Sequence, residues 1–124
     1  MDKIADKLIS VEKARELESN WKSNQGKGIE GRGLKDVREF LFDLDALQEY
    51  INHVRTKSVE QGIQNPGIRI YFGAYAEDRN KVSTVFLAPT KSTVKTGVQE
   101  EEVANNYEIS PLNTVIGGYP PINY

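Results

Sequence analysis

Residues 67–90 read GIRIYFGAYAEDRNKVSTVFLAPT, and this stretch decides the fold. Every second residue from Ile68 to Phe72 is apolar, which is the period of a β-strand whose successive side chains point to opposite faces. The polar run 76–81 has the composition of a turn. A second run of β-branched and aromatic residues follows, and Pro89 is expected to end it because proline donates no ladder hydrogen bond. The stretch predicts an antiparallel hairpin.

A long helix is predicted over residues 44–61, just before the hairpin. Asp43 precedes it as an N-cap, and Gly62 follows in the position that commonly ends a helix. Before the cap, residues 40–42 are expected to form a short buried strand. The apolar stripe of the helix is expected to contain Leu44, Leu47, Ile51, Val54 and Ser58, with Tyr50 beside it.

A first helix is predicted near the amino terminus, where apolar residues recur at three- and four-residue steps. Ser10 is a suitable N-cap for a helix that begins at Val11. Trp21 is expected to pack in the core or dock the helix, with stacking on a ligand as the alternative. The apolar stripe consists of Ile4, Leu8, Val11, Ala14, Leu17 and Trp21.

Together these elements predict one α+β domain over residues 1–124, with a small antiparallel sheet of about three or four strands and two helices packed on one face. Residues 23–35 are expected to form a flexible glycine-rich loop and residues 91–106 a polar loop. Residues 107–124 are rich in Tyr, Pro and Gly and predict an extended C-terminal tail. That tail either packs across the domain or docks to a proline-recognising partner.

The composition restricts the classes of function. The chain has 124 residues, a net charge of −2 and no cysteine, which excludes disulfides and thiolate metal ligands. The charge lacks the basic excess typical of proteins that bind phosphate backbones, so nucleic acid is not an expected partner. No segment resembles a signal peptide or a membrane span, so we expect no membrane association and a cytoplasmic location.

The glycine-rich loop contains a literal motif match. Gly26, Gly28 and Gly31 fit the dinucleotide pattern G-x-G-x-x-G, and Lys27 and Arg32 add positive charge. That motif requires a strand before it and a helix after it, whereas here a helix precedes the loop and a strand is predicted afterwards. A flexible connector is therefore favoured, and Lys27 and Arg32 remain candidates for an anion-binding loop.

The sequence gives little support to catalytic or metal chemistry. His53 is the only histidine and follows Glu49 by four residues on the predicted helix, which favours a histidine at the helix rim over a metal ligand or general base. The carboxylates at positions 36, 39, 43 and 45 have sufficient roles as caps, dipole partners or solvated groups. We expect no catalytic residue, no metal site and no cofactor, and an enzyme is the less favoured class.

A candidate interaction face lies on the first strand of the hairpin. If the apolar residues of that strand face the helices, Arg69, Tyr71 and Tyr75 project together from the opposite side. Arginine and tyrosine anchor many protein interfaces. The alternative is that the tail covers this face through Tyr119 and Ile122. In either arrangement Arg69 needs an acidic residue or a chain carbonyl as its partner, and the binding candidates are Arg69, Tyr71, Tyr75 and Tyr119.

Several runs resemble those of small uncharacterised bacterial proteins, a family with no assigned activity: GIRIYFGAY at 67–75, TVFLAPT at 84–90, NW at 20–21, and PLN followed by GGYPP within 111–121. The resemblance spans most of the chain. It implies a stand-alone cytoplasmic bacterial protein and carries over no functional residue.

These observations predict a non-enzymatic module that binds another protein or a second copy of itself. The alternative is a protein that binds a small molecule or an anion, with or without catalysis, through the loop that carries Lys27 and Arg32.

Overall fold

The computed structural model describes residues 3–28, 38–74, 83–92, 103–113 and 116–117. Within these ranges, two α-helices and a three-stranded antiparallel sheet, with a separate two-stranded pairing, confirm the predicted α+β class. Arg32, Tyr75 and Tyr119 lie outside the described residues, so the structure places none of them.

The helices are α1 (Val11–Trp21) and α2 (Leu44–Glu60). A 3-10 helix precedes α1 at Lys3–Lys7, and a π-helical segment follows it at Lys22–Gly26. The strands are β1 (Phe40–Leu41), β2 (Gly67–Ala74), β3 (Ser83–Lys91), β4 (Ala104–Asn105) and β5 (Ile116–Gly117).

The predicted hairpin is confirmed as β2 and β3. They pair antiparallel without a bulge from Gly67 opposite Thr90 to Ala74 opposite Ser83, and β4 joins the other edge of β3, so that the order is β2-β3-β4. The expectation that Pro89 ends the second strand is wrong, because β3 continues to Lys91. Proline is tolerated there because the hydrogen bonds of this residue lie on the β4 side, where its carbonyl accepts from Asn106 N (2.9 Å), and no donor to β2 is lost.

Helix α2 begins and ends where the sequence predicts. The Asp43 carboxylate accepts from Ala46 N (3.0 Å), which satisfies one of the free N–H groups of the first turn. Gly62 follows the helix with φ of 73°, the left-handed conformation that glycine adopts without a steric penalty. The chain therefore turns sharply into β2.

The core lies between α2 and β3, but the buried helix face differs from the predicted stripe. Leu44 is 79% exposed, whereas Tyr50 is buried. The sheet-facing residues follow steps of three and four along α2, and including Tyr50 in that face lets its hydroxyl reach a backbone carbonyl. The core cluster is Tyr50, Val54, Leu87 and Ile109, with Phe42, Leu47 and Leu112 packed against it.

The expectation that residues 40–42 form a buried strand is only partly correct. Phe40 and Leu41 form β1, which pairs with β5, and Leu41 is exposed. Phe42, one residue beyond the strand, packs against the core cluster. The partly buried Phe42 is therefore the residue that links this segment to the core.

Helix α1 contributes no residue to the core. Ser10 caps it as predicted, because the hydroxyl oxygen accepts from Lys13 N (3.0 Å). However, α1 buries none of its residues, and Leu8, Val11 and Leu17 are exposed. The expectation that both helices pack on the sheet thus holds for α2, whereas the apolar stripe of α1 stays at the surface.

The first part of the predicted loop 23–35 differs from the expectation, because residues 23–28 are helical and continue from α1; residues 29–35 lie outside the described residues. Gly26 is buried against Trp21, and a Cβ atom at that position would lie 3.3 Å from Trp21 Cζ3. The absence of a side chain at Gly26 lets the wider π-helical turn pass close to the indole.

The segments predicted as a polar loop and a tail supply part of the sheet and core. Lys91 belongs to β3, and Ala104 and Asn105 form β4. Ile109 is a core residue, and Leu112 forms an isolated antiparallel bridge with Leu87. Residues 109–112 therefore pack on the domain, whereas residues 118–124, on which the two alternatives for the tail depend, lie outside the described residues.

Candidate interaction surface

The two faces of β2 differ in what covers them. Arg69 and Tyr71 lie opposite Ala88 and Phe86, so these four side chains share the face that points away from α2. The Tyr71 ring stacks on Phe86, with ring centroids 5.3 Å apart and planes inclined at 18°. This pair forms an aromatic surface on the sheet.

Asn105 of β4 connects Arg69 to Tyr71. Arg69 donates from Nη1 to Asn105 Oδ1 (2.6 Å) and from Nη2 to the Val103 carbonyl (3.0 Å). The Asn105 amide donates to the Tyr71 hydroxyl (2.7 Å). The predicted carbonyl partner of Arg69 is thus confirmed. Asn105 was missed from sequence, because an asparagine within a polar stretch gives no signal of its tertiary partner.

A groove of about 370 Å³ opens beside Tyr71, between the sheet and residues 105–111. Tyr107 forms part of its wall and is 89% exposed. Asn106 of the groove lining is buried, and its side chain donates to Gln61 Oε1 (2.7 Å) and accepts from Glu108 N (3.1 Å). The remaining walls come from Phe86, Ala88, Pro89, Ile109 and Pro111.

The opposite face of β2 carries an exposed apolar row, which we define as Ile68, Ile70 and Phe72. The row lies on the α2 side of the sheet, because Ile70 is paired with the core residue Leu87. Nevertheless Ile70 is 63% and Phe72 83% exposed. The expected cover of these residues by the helices is therefore wrong, since α2 packs over β3 and leaves β2 open.

The same three residues present their backbone groups at the outer edge of the sheet. Leu87 exchanges two hydrogen bonds with Leu112 (2.8 and 3.0 Å), so its N–H and C=O point away from β2. In an antiparallel ladder, hydrogen-bonded and non-hydrogen-bonded pairs alternate. Ile70, opposite Leu87, must then direct its own N–H and C=O outward, and so must Ile68 and Phe72, two residues away on either side.

Within the described residues, this outer edge shows none of the usual devices that prevent strand pairing. Natural edge strands are commonly protected by lysine, proline, a bulge or an inward-pointing charge. Strand β2 spans eight residues with none of these, and its one charged side chain, Arg69, is held by β4. No described residue pairs with the outer edge. The edge therefore offers both hydrogen bonds and apolar side chains to another strand.

A second groove adjoins one end of the apolar row. It measures about 480 Å³ and lies between α2 and the start of β2. Ile51, Val54, Pro66 and Ile68 provide its apolar walls, with Arg55 at the α2 side. A large apolar side chain placed beside Ile68 would therefore find further apolar surface.

The Tyr50 hydroxyl fixes the position of α2 against the sheet. It donates to the Ser110 carbonyl (2.8 Å), and the Leu87 carbonyl lies 3.3 Å away. Burial raises the pKa of Tyr50, because removal from water disfavours the phenolate. The residue is thus a neutral structural donor.

The other residues considered from sequence are not brought together. Lys27 is exposed at the end of the helical segment that follows α1. His53 is exposed on α2, with its ring 6.2 Å from that of Tyr50. The described residues contain no group of three or more His, Cys, Asp or Glu side chains that could hold a metal ion.

Comparison with protein-family models, curated proteins and solved structures finds no match to this chain. The resemblance to small bacterial proteins therefore stays a prediction. Neither α1 nor α2, nor any other described helix, has the length and apolar composition needed to cross a bilayer.

The edge geometry predicts alternating amide exchange along β2. At concentrations where the protein is monomeric, the amides of Arg69, Tyr71 and Gly73 should exchange slowly because they bond to β3. Those of Ile70 and Phe72 should exchange nearly as fast as in an unstructured peptide. Residue-resolved hydrogen exchange by NMR measures this, and equal protection of all five amides would contradict the assigned edge.

The Asn105 network predicts a loss of stability in Asn105→Ala. This change removes the acceptor of Arg69 and the donor to Tyr71, so the free energy of unfolding should fall by about 1–2 kcal/mol. Asn52→Ala is the control: among the described residues, the exposed Asn52 side chain accepts one hydrogen bond, from Gln48 (3.2 Å), so the free energy of unfolding should change by less than about 0.5 kcal/mol. Urea titration compares the variants, and equal effects would refute the role of Asn105.

Proposed function

We propose that this protein is a non-enzymatic interaction module that binds an extended protein strand along the outer edge of β2. The observation that carries the proposal is the coincidence of two properties in the apolar row. Ile70 and Phe72 expose their side chains, and the ladder geometry directs their backbone hydrogen-bonding groups to the same edge. The cytoplasmic location and bacterial origin expected from the sequence remain part of the proposal.

Strand addition uses these two properties for different purposes. Main-chain hydrogen bonds provide affinity that depends little on sequence, whereas alternate side chains provide specificity. Here the incoming strand would place every second side chain beside the apolar row. The expected partner segment therefore alternates apolar and polar residues, as β2 itself does.

A synthetic strand tests this proposal directly. The probe is a labelled peptide with the sequence of residues 67–74, flanked by lysines for solubility, and fluorescence anisotropy measures its binding to the full chain. Wild-type protein should bind it, and Ile70→Lys should weaken binding at least tenfold, or about 1.4 kcal/mol, because a charge replaces an apolar contact at the edge.

Val59→Lys is the matched control. Val59 is 73% exposed but lies on α2, away from the β2 edge, so this variant should bind the peptide like wild type. Circular dichroism establishes that both variants are folded. Absence of peptide binding by the wild type, or equal binding by Ile70→Lys, would refute strand addition at this edge.

The groove beside Tyr71 supports a second candidate surface, which retains Arg69 and Tyr71 as binding residues. Aromatic-lined grooves bind extended proline-bearing segments, whose conformation is largely fixed before binding. The stacked Tyr71–Phe86 pair and the exposed Tyr107 provide such walls. Residues 118–124 of this chain, GYPPINY, have the required composition and serve as the probe.

Calorimetric titration with the peptide GYPPINY tests the groove. Tyr107→Ala should weaken binding about tenfold because it removes one aromatic wall. Phe72→Ala removes an equally exposed aromatic ring from the other face of the sheet and should leave binding unchanged. A peptide in which alanine replaces both prolines should bind less well, and equal binding of the two peptides would exclude proline recognition.

A further inference from the structure

We infer that the strand which occupies the β2 edge is β2 of a second copy of this chain. This inference rests on the proposed function. The two strands run antiparallel about a two-fold axis at Ile70. In this arrangement Ile70 faces Ile70 of the second copy, and Ile68 faces Phe72. Arg69 faces Tyr71 on the other side of the sheet.

The side-chain alternation of β2 restricts the possible registers. Directly opposed residues in an antiparallel pair share a face, so a shift by one residue would place the apolar row of one copy beside the Arg69 face of the other. The apolar rows of the two copies both lie on the α2 side only in registers where residues of one row stand opposite residues of the other. The backbone groups impose the same condition, because Ile68, Ile70 and Phe72, together with Ala74 at the end of β2, point toward the incoming strand, whereas those of Arg69, Tyr71 and Gly73 point toward β3.

Charge and side-chain size then favour the register centred on Ile70. A register centred on Arg69 would oppose the two arginines, and like charges directly opposite are destabilising. One centred on Tyr71 would oppose Ile68 to Ala74, which leaves a large apolar side chain without a large partner. The register centred on Ile70 opposes every member of the apolar row to another member.

The groove beside Ile68 provides the strongest support for a second copy. Phe72 is 83% exposed on its own chain. In the Ile70-centred register it lies opposite Ile68 of the second copy, next to the 480 Å³ groove between α2 and β2. The two-fold axis makes this contact twice. Each chain therefore carries both the projecting ring and the apolar recess that receives it.

Backbone pairing completes the contact. Three opposed residue pairs, each exchanging two N–H···O bonds, give about six hydrogen bonds between the copies. The two apolar rows then form one continuous strip across both sheets. A self-complementary contact of this kind is characteristic of two-fold dimers, in which the same patch serves both subunits.

Engineered cysteines test the register, since the chain contains none of its own. In the proposed pairing, the Cα atoms at position 70 of the two copies lie about 5.5 Å apart, within the range for a disulfide. Those at position 72 lie about 15 Å apart, because they are offset by four residues at about 3.4 Å each and lie on neighbouring strands. With a thiol oxidant, Ile70→Cys should form a covalent dimer and Phe72→Cys should remain uncross-linked.

A charge exchange tests the second copy independently. Ile70→Lys and Ile70→Glu should each sediment as monomers at concentrations where wild type dimerises. Their equimolar mixture should recover a heterodimer, because opposite charges then face each other at the axis. Val59→Lys should dimerise like wild type.

The outcomes separate this inference from the function on which it rests. Wild-type protein that stays monomeric at millimolar concentration while binding the strand peptide would overturn the second copy and leave strand addition intact. A dimer that is cross-linked by Tyr71→Cys but not by Ile70→Cys would overturn the register. Cross-linking at position 70 together with recovery of the mixed dimer would establish both.

Discussion

The reciprocal backbone hydrogen bonds between Leu87 and Leu112 join the C-terminal segment to β3, the central strand of the sheet. They direct the polar groups of Leu87 toward the C-terminal segment while its side chain enters the core below Tyr50. Because hydrogen-bonded and open pairs alternate, this single contact also determines which residues of β2 face β3 and which face outward. Leu87 and Leu112 thus connect two features of the domain: the Leu87 side chain packs in the core, and the alternation of hydrogen bonds leaves backbone groups of β2 free at the outer edge.

Local sequence rules predict much of the fold. The hairpin follows from the period of two between Ile68 and Phe72, and the ends of α2 follow from Asp43 and Gly62, whose effects act within one turn of the helix. These local rules do not say how many strands of the sheet a helix will cover. A helix of about 10 Å diameter covers roughly two strands spaced about 4.8 Å apart. Helix α2 packs over β3, so the row on β2 is left exposed although its pattern is that of a buried face.

The polar contacts of the candidate surfaces are less predictable than the strands that carry them. The need of Arg69 for a carbonyl partner follows from its chemistry, but Val103 and Asn105 lie more than thirty residues away in a stretch predicted as a polar loop. Likewise, the preference for Tyr50 over Leu44 in the core depends on the position of Ser110. Such choices depend on which distant segments meet, which periodicity within one element does not encode.

Pro89 has a consequence for the size of any assembly. Its nitrogen has no hydrogen and faces the side of β3 where residues 104–112 already lie, so in the described part of the sheet that side offers little room for a further strand. Further strands could therefore be added to the described sheet at the β2 edge but hardly at the opposite side. If the β2 edges of two chains meet about a two-fold axis as proposed, each long edge is occupied, and β4, the edge strand on the other side, is only two residues long, so the assembly would close as a dimer. In the proposed dimer, an unprotected edge of the kind that promotes fibre formation would instead give a particle of finite size.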